Sequence, residues 1–185
     1  MEERRRCRWA NPKDPVYTAY HDTEWGVPVR DDAKLYELFL LETFQAGLSW
    51  ITILKKRENF RRAFDGFDPV KIAHYGADKV EALLADPGIS RCRRKIVAAI
   101  ENAAIFLAIQ QEYGSFSNYL WGYVDHTPVL NTTDAFLTQT PLSDAVSKDL
   151  VRRGMHYVGS VTVYSYLQAV GVVNDHETAC FCYPK

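Results

Sequence analysis

Leu41-Glu-Thr-Phe-Gln-Ala-Gly-Leu-Ser-Trp50 is the stretch on which the reading of this 185-residue chain turns. It lies within Leu35–Leu54, where residues at helical spacing are apolar on nearly every side. Leu35, Leu38, Phe39, Ala46 and Trp50 share one face; Leu41, Phe44, Leu48 and Ile51 share the other. A helix that is apolar all round is a buried helix, so this segment predicts the centre of a helical core. Glu42 falls near the middle of the first face, with Gln45 and Ser49 following at helical spacing. A buried carboxylate is costly unless something pairs with it or hydrogen-bonds to it. Either an internal ion pair or a capped helix end accounts for Glu42, or it faces a pocket and awaits a ligand with donors or positive charge. Gly47 is a point at which the helix can end early, which would uncouple Glu42 from Trp50.

Outward from this stretch, apolar periodicity continues as helices. Asp31 and Asp32 mark its N-terminus. A second helix is expected over Trp50–Phe64, with Lys55, Lys56 and Arg57 as a solvated basic face. Asp68-Pro69 opens another. Asp78 is expected to cap Lys79–Ala85, and a long alanine-rich helix runs from Ile96 to about Gln111. Ser143 is expected to cap a helix to Arg153, and Ser160–Gly171 reads as the last one. Residues 1–30 are rich in Trp, Tyr, Pro and charge and read as loop with one short helix. No repeat or sustained strand alternation is present. The fold class is all-α, in a single domain over residues 1–185.

Composition bounds the function. Hydrophobic residues make up 47% and charged residues 24%, which supplies a core and argues against disorder. No apolar run reaches membrane-spanning length, and the charged start is unlike a signal peptide, so a cytoplasmic location is expected. The net charge of −1 neither supports nor excludes nucleic acid, because a local basic patch is what matters. Four cysteines in a chain without a secretion signal point to metal before disulfides.

Two constellations follow. The turn Pro87-Gly-Ile-Ser90 joins two helices at about 79–111, and the second opens in Arg91, Arg93, Arg94 and Lys95. A tight turn at Gly88 and free amides at a helix N-terminus can hold a phosphate, and the basic side chains attract a nucleic-acid backbone. A plain structural turn has the same appearance. Cys7 and His21 near one end, with His176 and Cys180 near the other, make a Cys2His2 set suited to zinc. The His176–Cys180 spacing would set both on one side of a helical turn. Surface histidines and small core cysteines remain the alternative on spacing alone.

Together with Cys7-Arg-Trp9, Tyr17-Thr-Ala-Tyr-His-Asp-Thr-Glu-Trp-Gly-Val-Pro28, Leu41-Glu42, Gln45-Ala-Gly-Leu-Ser-Trp-Ile51, Leu54-Lys-Lys-Arg-Glu-Asn59, Phe67-Asp-Pro69, Asn174-Asp-His176, Cys180 and Cys182-Tyr-Pro184, these residues resemble the 3-methyladenine DNA glycosylase I family over essentially the whole chain. The resemblance implies a helix-hairpin-helix DNA glycosylase fold. It also implies a structural zinc on Cys7, His21, His176 and Cys180, tying residues 1–30 to 172–185, with no ligand role for Cys92 or Cys182. Glu42 and Tyr20 would bind alkylated adenine as catalytic residues, Trp50 would stack on it, and Trp9, Tyr17 and Trp25 would line the pocket. Double-stranded DNA is the expected partner and 3-methyladenine the product, for a monomer acting off the membrane. Gly47 and Leu48 are expected beside the opened base pair, with Leu48 as a wedge.

N3-methylation makes adenine cationic and a good leaving group, so aromatic faces and a carboxylate favour it. Many glycosylases with this hairpin carry a catalytic Asp downstream of it; here residues 106–110 read Phe-Leu-Ala-Ile-Gln. No dedicated nucleophile or Schiff-base lysine is therefore expected, hence a monofunctional enzyme without lyase activity. A damage-sensing module that has lost its chemistry, or a zinc-stabilised interaction domain, are the rival classes. Release of free base from methylated DNA separates them.

Overall fold

The computed structural model describes residues 4–184, and they are mostly helical. In chain order the elements are α1 (Pro15–Thr23), α2 (Asp32–Gln45), α3 (Trp50–Ala63), a 3-10 turn (Asp65–Phe67), α4 (Pro69–Ile72), α5 (Ala77–Ala85), α6 (Arg93–Tyr113), α7 (Phe116–Gly122), β1 (Val129–Leu130), α8 (Pro141–Arg152), α9 (Ser160–Ala169) and β2 (Val173–Asn174). The two strands, which the sequence did not announce, are two residues each and pair in parallel. They are too short to show alternation.

α2 is the buried centre, with every residue from Leu35 to Phe44 out of solvent. It packs against α3, α6, α7 and α9. Asp31 caps it by accepting from the Lys34 amide at 2.9 Å. Asp32, expected to serve the same terminus, instead accepts from the Phe116 and Ser117 amides at 2.8 Å each and so caps α7.

Gly47 does end the helix early, so Glu42 and Trp50 do not share one continuous helical face, and the second helix opens at Trp50 as expected. α2 ends at Gln45, and Gly47 takes φ +79°, a left-handed conformation that a residue without Cβ adopts at little cost. Lys95, from the start of α6, donates to the Phe44 and Ala46 carbonyls at 2.7 and 2.5 Å and so satisfies the exposed end of α2. Trp50 then opens a separate helix.

Other expectations are corrected locally. Gly76, not Asp78, precedes α5, and Thr140 rather than Ser143 is the N-cap of α8. Ser143 is its reciprocal partner in a capping box. Arg57 is not solvated. It donates to both Glu24 oxygens at 2.9 Å and to Glu37 at 2.6 Å, joining the end of α1, α2 and α3 through a half-buried ion network.

The core is one cluster centred on α2. A smaller cluster forms where the termini meet, around Cys7, Tyr20, Trp25, Leu54 and Cys180. Gly171 (φ +71°) closes that meeting: a Cβ there would lie 2.3 Å from the Val27 carbonyl carbon and 2.5 Å from the Pro28 nitrogen.

Candidate active site

Four helices, α1, α2, α3 and α9, line one cavity of about 470 Å³. Asp14 caps α1 by accepting from the Val16 and Tyr17 amides. That helix carries Tyr17, Tyr20 and His21 on one side, at spacings of three and four. Trp25 follows its C-terminus, Glu42 comes from the last turns of α2, and Trp50 from the first residue of α3. Trp9, Tyr17, Tyr20, Trp25, Glu42 and Trp50 all line the cavity. Trp9 lies 4.9 Å from both Tyr17 and Trp25, and Tyr20 lies 5.5 Å from Trp50, by ring centroids.

Hydrogen bonding identifies this cavity independently of its shape. Among the described residues, four buried side-chain polar atoms lack a partner: Trp9 Nε1, Trp50 Nε1, Glu42 Oε2 and Asp175 Oδ1. All four belong to residues of this one lining. Folded proteins satisfy nearly all such groups, so two orphan donors and two orphan acceptors in one place mark a surface built for something else to complete. Asp175 lay within the sequence pattern but carried no predicted role; the sequence signal for it was its place before His176.

Glu42 is 4% exposed. Burial alone pushes its carboxyl up to about 8. Among the described residues no cation approaches it, so the internal-salt-bridge alternative is eliminated. Burial therefore favours the protonated carboxyl, and a positive charge entering the cavity would favour the carboxylate. Tyr20 is fully buried and raised well above the ordinary tyrosine value, by burial first and then by Glu42.

Cys7, His21, His176 and Cys180 converge beside this cavity, all buried, with their ligand atoms within 4.8 Å of one another. Cys7 Sγ is 3.4 Å from His176 Nδ1. Cys180 Sγ is 3.5 Å from His21 Nε2 and 3.6 Å from His176 Nδ1. Metal bonds of about 2.3 Å to sulfur and about 2.0 Å to nitrogen, in a tetrahedron, separate S from N by about 3.5 Å. The residues fit a metal ion. The outer nitrogens are held as well: His176 Nε2 donates to the Trp25 carbonyl at 2.9 Å and His21 Nδ1 to Asp22 at 2.8 Å, which turns His176 Nδ1 and His21 Nε2 toward the thiols, the latter also 3.3 Å from the Cys7 amide. The His176–Cys180 segment is a turn rather than the helical turn expected.

The remaining predicted residues lie around the mouth and the hairpin. Gly47 and Leu48 are exposed on the α2–α3 turn, whose flanking Gln45 and Ser49 line the cavity. Leu48 is 40% exposed. In the hairpin, Gly88 N–H donates to Asp86 Oδ1 at 2.7 Å, so it is not free for a ligand. Arg91, Arg93 and Arg94 are exposed, although Arg93 pairs with Glu81 at 2.7 Å. No side chain caps the N-terminus of α6. Lys95, grouped with these arginines in the sequence, is turned to the end of α2 instead.

Comparison with known proteins gives the family and the fold. The family described as methyladenine glycosylase matches residues 9–183. The chain is 50% identical to DNA-3-methyladenine glycosylase 1 of Escherichia coli, over 97% of each, and 42% identical to DNA-3-methyladenine glycosylase of Haemophilus influenzae, over 96% of this chain and 97% of that one. A crystal structure of 3-methyladenine DNA glycosylase I superimposes with a TM-score of 0.93 at 50% identity, covering 97% of this chain and all of that one. A tyrosine variant of 3-methyladenine DNA glycosylase I in complex with 3-methyladenine superimposes with a TM-score of 0.91 at 40% identity, covering 97% and 98%. By sequence and by fold, the chain belongs to the methyladenine glycosylase family.

Proposed function

We propose that this chain is a DNA repair enzyme that excises 3-methyladenine from alkylated double-stranded DNA. It would extrude the base into the cavity and hydrolyse the N-glycosidic bond. The observation that carries the reading is Glu42, a buried carboxylate with an orphan oxygen in an aromatic cavity. A methylated, cationic adenine supplies what Glu42 lacks. Charge attraction grows as water is excluded, so neutral adenine gains far less there. The base's edge donors meet Glu42, with Tyr20 beside it, while Trp50 stacks on the ring and Trp9, Tyr17 and Trp25 enclose it.

With the base held, its own positive charge makes it a good leaving group, and the protein favours the stretched bond by binding. Among the described residues, no lysine lines the cavity. That supports a monofunctional enzyme with no lyase step.

The Cys7, His21, His176 and Cys180 set best suits zinc, because two thiolates with two imidazoles match that ion. Bound there, zinc would supply structure only, since four protein ligands leave no open position. Duplex DNA would be gripped through phosphates at the α5–α6 hairpin by Arg91, Arg93 and Arg94, with the uncapped start of α6, while Leu48 enters the gap left by the base. The whole chain would act as one monomeric domain in the cytoplasm. Four free cysteines and an intact metal-binding set support that setting.

The test is chromatography of the bases released from methylated duplex DNA. Free 3-methyladenine is expected. DNA binding without release would mean a damage-sensing module.

A further inference from the structure

Four acidic residues line the cavity: Glu42, Asp134, Asp175 and Glu177. Two are occupied. Glu177 Oε1 accepts from the Arg8 amide and guanidinium at 2.9 Å each, and Asp134 accepts from the Thr178 amide and hydroxyl at 2.6 and 2.8 Å. Glu42 and Asp175 are the two with a buried oxygen that has no partner among the described residues.

Asp175 is held with unusual care for a side chain that ends half unpaired. Its Oδ2 accepts from Tyr164 Oη and Gln168 Nε2, both at 2.5 Å. Those two donors lie four residues apart on α9, one turn of the same helix face. The backbone is fixed from both sides, by β2 immediately before it and by the His176 amide, which donates to Asn174 Oδ1 at 3.2 Å. Oδ1 alone is buried with no partner. A carboxylate anchored through one oxygen leaves the other at a fixed position.

The chemistry gives a second carboxylate a specific use. In the bound nucleotide the positive charge is on the base, where Glu42 favours it. As the bond between C1′ and N9 breaks, the bonding electrons go to N9, the base becomes neutral and the charge passes to the sugar. Glu42 cannot follow it. A fixed negative oxygen near the sugar stabilises the charge where it arrives, and an acceptor there can orient the water that attacks.

We infer that Asp175 is the second catalytic carboxylate, with Oδ1 accepting a hydrogen bond from the attacking water and facing the developing charge at C1′. This rests on the proposed glycosylase function. The water oxygen forms its bond to C1′ as the C1′–N9 bond breaks, and the water's surplus proton leaves to bulk solvent. The products are neutral 3-methyladenine and the abasic sugar. No nucleophilic side chain is consumed, in keeping with the lack of a carboxylate at residues 106–110.

The test compares the unaltered chain with Asp175→Asn in single-turnover release of 3-methyladenine from methylated duplex DNA, alongside affinity for free 3-methyladenine, metal content and melting. Release is expected to slow on the order of tenfold or more, with base affinity, metal content and melting retained. A structural role would move those three readouts together. Tyr164→Phe, which keeps the carboxylate and removes one tether, is expected to retain more activity than Asp175→Asn. Release at the unaltered rate from Asp175→Asn overturns the inference. So does a fall in base affinity or metal content that matches the fall in rate, and so does equal loss in both variants. Absence of release by the unaltered chain overturns the proposed function itself, and this inference with it.

Discussion

The carbonyl of Trp25 accepts a hydrogen bond from His176 Nε2 at 2.9 Å, so one residue is both a wall of the cavity and an outer support of the metal-binding set. The ring of Trp25 lies 4.7 Å from that of His176 and 4.9 Å from that of Trp9. The termini, the metal set and the aromatic wall are therefore one piece of structure.

Metal removal is expected to damage the cavity as well as the termini. One zinc per chain should be found by elemental analysis of protein purified without chelators. Stripping it should lower both the melting temperature and affinity for free 3-methyladenine. Retention of full base affinity by metal-free, folded protein would separate the two features.

Gly171→Ala is expected to be severely destabilising although the residue touches no ligand. The new Cβ meets the backbone of Val27 and Pro28, which cannot rotate away, and φ is +71°. A loss of about 3 kcal/mol or more in urea unfolding is expected. A variant within about 0.5 kcal/mol of the parent would show that the 27–28 segment shifts freely.

The arginines of the hairpin and Lys95 should behave differently. Arg91→Glu with Arg94→Glu should weaken duplex binding across all sequences and flatten its salt dependence, by roughly one unit of slope for each phosphate no longer neutralised. Lys95→Ala should act first on stability, because it uncovers the Phe44 and Ala46 carbonyls. Unchanged DNA affinity in the double arginine variant would reduce the hairpin to a turn.

Much of this was legible in the chain itself. The all-apolar run of α2 announced the core, and Glu42 stood out there because a carboxylate breaks the pattern. Gly47 marked where that run could stop, and what the sequence could not reveal was how the stop is satisfied. Lys95, some fifty residues away, satisfies the end of α2 beside Gly47, and long-range capping leaves no local trace. Arg57 reads as a surface residue for the same reason, since its partners Glu24 and Glu37 lie outside its own helix. The metal ligands were suggested by type and assigned by resemblance; their convergence is a property of the fold. Asp175 lay beyond both, because its role depends on one oxygen being taken by Tyr164 and Gln168 while the other is not.

Glu42 should leave a signature in stability against pH. Its carboxyl is raised to about 8 in the folded protein from an ordinary value of 4.5. The folded form therefore holds a proton that the unfolded chain releases between those values. The stability this gives is fully present below the ordinary value and is lost as pH rises through about 8. Glu42→Gln should remove that slope and be the more stable protein at pH 9, by about 5 kcal/mol at most. Parallel stability–pH curves for the two proteins would contradict the burial argument.

In activity the same group works in the opposite direction. kcat/KM for excision, which reports the free enzyme, is expected to rise with pH as Glu42 ionises and to level off above about 8. A profile flat through that range would assign the charge elsewhere.

The most direct measurement is the amount of 3-methyladenine released from methylated duplex DNA by the unaltered chain and by Glu42→Gln at equal protein and equal metal content. The account predicts that the unaltered chain releases the base and that the variant, though folded and metal-loaded, does so on the order of tenfold more slowly or worse. Equal release by the two would show that Glu42 is a buried structural carboxyl and that recognition of the cationic base resides in another group.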